Sequence, residues 1–95
     1  MLIELKKFGK VLSSRPSGKE AYMSAKAYIL PQDNSDDTSI EIDFRGVDVL
    51  SPSWADEFLT PITEEKKYTV KLLHCGNPTV VATLELLGLK ELVVK

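Results

Sequence analysis

The 95 residues have room for one small domain, taken here as 1–95, and a formal charge of -2 gives no electrostatic footing for nucleic-acid binding. Hydrophobic residues make up 43% and charged residues 27%, which is too apolar for an acidic disordered tail and fits a modest folded core. Cys75 is the only cysteine, which excludes an internal disulfide and a cysteine-rich zinc cluster.

The first residues lack the long apolar centre of a signal peptide, and no stretch approaches the roughly 18 apolar residues that a membrane span needs. A soluble, cytoplasmic chain with no membrane association is expected. Positions 2–8 read as a first strand closed by Gly9. Positions 10–16 read as a loop, because Ser13, Ser14 and Pro16 favour turns and Pro16 pushes Arg15 out of the helical region. Ser17-Gly18-Lys19-Glu20 then matches a capping box, and Ala21, Tyr22, Ala25, Tyr28 and Ile29 fall on one helical stripe that Pro31 ends. The aspartates at 33, 36 and 37 lack calcium-loop spacing, so a solvated turn is expected there.

Strict alternation over 39–44 predicts a strand with Ile40, Ile42 and Phe44 on one face. After the Arg45-Gly46 turn, Val47, Val49 and Leu50 form a second apolar segment. Ser53 reads as the N-cap of a second helix, with Asp56 at its third position facing the positive end of the dipole. Trp54, Ala55, Phe58, Leu59 and Ile62 make its apolar stripe, and Pro61 is expected to kink or end it before Glu64. Positions 68–75 read as a third strand. Asn77-Pro78 starts a third helix with Val80, Val81, Leu84 and Leu87 on one face and Gly88 as left-handed terminator. The tail at 89–95 fits either an edge strand or a last helical turn.

Strands alternating with helices predict an α/β fold: a single-layer mixed or parallel sheet of about four strands, covered by about three helices. Its expected core is Ile40, Ile42, Phe44, Phe58, Ile62, Leu72, Val81 and Leu84. The crossovers bring 9–17, 51–54 and 76–78 to one edge, where each strand runs into a helix and any site should lie.

The run 40–58, with a strand ending in aspartate, a Gly-Val step at Gly46 and Val47, an apolar pair and a serine-rich turn into an apolar helix, resembles a STAS domain (sulphate transporter and anti-sigma-factor antagonist). Ala55-Asp56-Glu57 and the upstream 14–20 segment are most similar to the STAS-like branch of small prokaryotic domains, and Leu86-Leu87-Gly88-Leu89 looks like the motif closing the third helix. The likeness spans nearly the whole chain. It implies a non-enzymatic regulatory module that binds a protein, for antagonists a kinase of the anti-sigma type, with phosphorylation of a serine before the second helix switching binding off. Nine positions beyond Asp43, where that serine is expected, stands Pro52; Ser51 and Ser53 flank it.

The candidates for partner binding or phosphorylation are therefore Ser51, Ser53, Trp54, Asp56, Glu57 and Asp48. Ser51 and Ser53 are first of all helix-start chemistry, and Trp54 fits a core position better than a display position. Arg15 and Ser17 could hold an anion at the same edge, which keeps a small-molecule or nucleotide sensor as the alternative. His74 and Cys75, on opposite faces of a strand, cannot pair directly as base and nucleophile, although a thiol just before a helix start can have a lowered pKa. No catalytic residue, metal or cofactor is assigned.

Overall fold

The computed structural model describes residues 1–31, 38–65 and 68–94; the aspartate-rich link at 32–37 lies outside them. The alternating isoleucines form the central strand β3 (Thr38–Asp43), which pairs in parallel with β1 (Leu2–Glu4) and with β5 (Tyr68–Leu73). Ile3 opposes Ile42 and Ile40 opposes Val70, so one face of the sheet carries Ile3, Ile40, Ile42, Val70 and Leu72, all buried. The other face carries Leu2, Ser39, Glu41, Thr69 and Lys71, each exposed or half-buried, and Asp43, which is buried at the end of β3. The α/β class holds, but the described helices cover one side of the sheet only.

The expected single sheet of about four strands is corrected as well. Three strands form the main sheet, and a separate parallel ladder joins β2 (Val11–Leu12) to β4 (Val49–Leu50). The segment 10–16, expected as a loop, thus contains a strand; two residues are too short for alternation to reveal. The first strand stops at Glu4, and Leu5–Phe8 forms a 3-10 turn that buries Leu5 and sets Phe8 against two aromatic rings. At the tail, Lys90–Leu92 makes a second 3-10 turn and Val93 bridges in parallel to Leu72.

Helix α1 (Arg15–Tyr28) starts earlier than its sequence suggests, because Ser14 Oγ, not Ser17, accepts from the Ser17 amide at 3.3 Å. Pro16 in the first turn has no amide to satisfy, so it opens the helix instead of delaying it. Ala21 and Ala25 face the core and Tyr22 and Ile29 are half-buried, but Tyr28 is 86% exposed. Tyr28 ends the helix, and Leu30, whose amide donates to Ala25 O, enters the core in its place.

Helix α2 (Pro52–Glu64) runs through Pro61 for a further turn. An interior proline costs about 3 kcal/mol, whereas burying Phe58, Leu59 and Ile62 contributes about 1.5–3 kcal/mol each, so packing holds the helix together. Helix α3 (Pro78–Leu86) is capped by Asn77, whose Oδ1 accepts from the Thr79 amide, and Gly88 takes the expected left-handed φ of 72° behind it. Val80 and Leu84 face the core with Thr83, while Val81 is 38% exposed and leaves the expected core list. No helix among the described residues is long and apolar enough to cross a membrane.

Candidate functional site

Three strand-to-helix segments meet at one end of the main sheet. Asp48 N–H donates to Lys10 O at 2.8 Å and Ser51 N–H to Leu12 O at 2.9 Å, which ties the approach to α2 against the approach to α1. The Asn77 side chain donates to Asp48 O at 2.9 Å and to Val47 O at 3.3 Å, adding the start of α3. Two threonines one helical turn apart complete this clip: Thr79 Oγ1 accepts from Leu50 N–H at 3.1 Å, and Thr83 Oγ1 donates to Leu50 O at 2.8 Å. Neither threonine carries a sequence signal beyond its i, i+4 spacing, because the clip exists only once β4 lies beside α3.

The serines exchange roles at the start of α2. Ser51, not Ser53, is the N-cap, its Oγ accepting from the Trp54 amide at 3.2 Å. Pro52 occupies the first helical position, where a missing amide is harmless, and this moves the helix start forward. Ser53 therefore sits in the first turn, half-buried, and no hydrogen bond engages its hydroxyl among the described residues. Asp56 falls one turn further along and faces no free backbone amide of the first turn. The Trp54 ring is 1% exposed, stacked on Phe58 at 4.9 Å, so it supports the turn from behind and presents nothing to a partner.

Arg15 spans from α1 to α2. Its Nη1 donates to Asp56 Oδ2 at 2.9 Å and to Glu57 Oε2 at 3.0 Å, while Thr60 Oγ1 donates to Asp56 Oδ1 at 2.8 Å. The hydrogen bonds from Arg15 first and Thr60 second hold the Asp56 carboxyl below its ordinary range, and the same two carboxylates raise the guanidinium. The cation proposed for anion binding is thus already shared between two anions, and Ser17 beside it is exposed with its amide committed to Ser14. The two helices touch closely here, since Gly18 lies flat on the Trp54 backbone.

Beside the 51–53 turn lies a shallow open groove of about 440 Å³, lined by Val49, Leu50, Pro52, Thr79, Ala82, Thr83 and Leu86. Val49 is 38% and Leu86 71% exposed, and Val11, the cross-strand partner of Val49, is 61% exposed. Asp48, the residue before Val49, is exposed, and so is Lys10, whose carbonyl accepts from the Asp48 amide. Reading the chain one element at a time missed the groove, whose apolar lining comes from three elements that are each unremarkable alone.

His74 and Cys75 do not lie on a strand, because β5 ends at Leu73 and His74 turns to a left-handed φ of 57°. Arg45 Nη2 donates to His74 Nε2 at 2.6 Å, and Asp43 Oδ1 accepts from the Arg45 amide at 2.8 Å. The Cys75 thiol is pushed up to about 11, chiefly by burial and then by the charge of Asp43, the opposite of what a helix start would do. Among the described residues no group of three or more His, Cys, Asp or Glu side chains converges to hold a metal ion. No family model, curated protein or solved structure matches the chain.

Proposed function

We propose that this chain is a non-enzymatic, STAS-like regulatory module that binds another protein through the strand-to-helix end of its sheet. The observation that carries the reading is the open apolar groove directly beside the serine-flanked 51–53 turn. An apolar surface of this kind marks a contact with a protein more often than with a polar metabolite. Ser53 is the preferred regulatory serine, because Ser51 is occupied in capping and Pro52 has no hydroxyl. A phosphoryl group there would add up to two negative charges in the first turn of α2, where the helix dipole tolerates them, and its effect would fall on the partner. A partner of the anti-sigma kinase type is what the STAS likeness suggests.

The engagement of Arg15 by Asp56 and Glu57 weighs against an anion or nucleotide sensor at the same edge. The raised Cys75 thiol weighs against thiol chemistry at neutral pH. Affinity purification from the native host, followed by mass spectrometry and nucleotide analysis, tests the reading. One stoichiometric protein supports it, and a co-purified nucleotide without a protein partner overturns it.

A further inference from the structure

We propose that Arg15 receives the phosphoryl group of phosphorylated Ser53 and gives up Asp56 and Glu57 in doing so, so that the modification releases two carboxylates as well as adding its own charge. This rests on the reading of Ser53 as the regulatory serine and names the switch that its phosphorylation throws. The transfer forms the Ser53 Oγ–P bond and breaks the bond from the γ-phosphorus to the nucleoside diphosphate of a kinase-bound nucleoside triphosphate, the hydroxyl proton leaving to the kinase's base.

Helical spacing brings the parts together. Asp56 and Glu57 stand three and four positions beyond Ser53 on α2, so the three side chains share one face, with the serine a turn nearer the helix start. Helices α1 and α2 leave the parallel pair β2 and β4 and run in the same direction, with Gly18 against the Trp54 backbone. Arg15, a turn before Gly18, therefore stands beside the first turn of α2 and reaches along that helix to the carboxylates. Both of those contacts use Nη1, and among the described residues no hydrogen bond engages Nε or Nη2. That free edge is the fork that grips a phosphate through two parallel hydrogen bonds. A free anion competes with the two fixed carboxylates only at its bulk concentration, whereas a phosphoryl group on Ser53 is tethered a turn away and carries up to two charges. Without a cation it would face like charges at both helical neighbour positions.

The test uses the full chain with phosphoserine installed at position 53 during translation, and circular dichroism checks the fold of each protein. Phosphorus NMR follows the second ionisation of the phosphate, which ordinarily falls near pH of about 6. Reception by Arg15 favours the dianion and is expected to raise the ionisation constant about tenfold, whereas Asp56 and Glu57 alone would lower it. Phosphorylated Arg15→Gln should show that lowering. Phosphorylated Lys19→Gln is the control, since Lys19 lines the surface beside Asp56 and Glu57, and it should behave as the phosphorylated parent does. A crystal structure of the phosphorylated chain should place Arg15 on phosphate oxygens, with Asp56 Oδ2 and Glu57 Oε2 both out of hydrogen-bond reach.

A lowered ionisation constant in the phosphorylated parent, a raised one that survives Arg15→Gln, or loss of the fold on phosphorylation overturns the proposal. An Arg15 that still holds both carboxylates in the phosphorylated crystal structure overturns it as well. No partner enters these measurements. Recovery of a partner and detection of phosphate on Ser53 are read on the native chain, so the docking reading stands or falls separately.

Discussion

Substituting Gly18 by alanine tests how the site is held in place. A Cβ at Gly18 would lie 2.4 Å from Trp54 O, 2.8 Å from its Cα and 3.0 Å from its carbonyl carbon, where ordinary contact begins at 3.4 Å. All three atoms are backbone, so no rotamer change relieves the overlap and α1 must lift from α2 by about 1 Å at its first turns. Alanine gains about 1 kcal/mol in helix propensity. Overpacking of a tight contact costs about 1–3 kcal/mol and sometimes more, and a clash of backbone atoms belongs at the upper end. The net expectation is a loss of about 2 kcal/mol, or a midpoint lower by roughly 10 °C in a domain of this size. Urea titration and thermal melts followed by circular dichroism measure it. Gly76→Ala is the control, since nothing lies within 4 Å of its added methyl, and it should stay within about 0.5 kcal/mol of the parent. A Gly18→Ala protein as stable as the parent, or more so, would refute the close crossing that sets Trp54 and the 51–53 turn.

Phe58→Ala should cost about 3–5 kcal/mol, because Phe58 is fully buried between Trp54 and Phe8; a loss below about 0.5 kcal/mol in urea titration contradicts that packing. Ser51→Ala should cost about 1 kcal/mol through the lost cap, while Ser53→Ala should be close to neutral, and thermal melts that reverse this order would return the cap to Ser53. Alkylation of Cys75 by iodoacetamide should be slow at neutral pH and accelerate as pH rises toward about 11, the thiolate being the reactive form; a fast reaction at pH 7 would reinstate a reactive thiol.

Periodicity made the main elements legible wherever a face was long enough to show it. Ile40, Ile42 and Phe44, and the stripe from Trp54 to Ile62, reach the core as their spacing predicts. Failures occurred where two local rules compete. Local rules keep Arg15 out of a helix before Pro16, do not mark Pro52 as a helix start and have Pro61 kink or end α2, yet Pro16 and Pro52 open α1 and α2 in the first turn and Pro61 is tolerated inside α2 by burial on both sides. That misreading displaced both serine caps, from Ser14 to Ser17 and from Ser51 to Ser53. Gly18 was read as part of a capping box, although its role depends on a helix 36 positions further on in the sequence. The meeting of three strand-to-helix segments was foreseeable from topology, but the two-residue ladder and the threonine clip that fix it are tertiary features with no local pattern.

Side-by-side affinity capture on the parent chain and on Ser53→Asp, with mass spectrometry of the bound fraction and circular dichroism of both baits, tests protein docking at this end of the sheet most directly. Aspartate in the first turn of α2 leaves the Ser51 cap in place and meets the positive end of the dipole, so the fold should persist. The expected result is one protein recovered at stoichiometric yield on the parent and strongly depleted on the folded variant. Equal recovery on both baits, or no protein on either, would contradict the account.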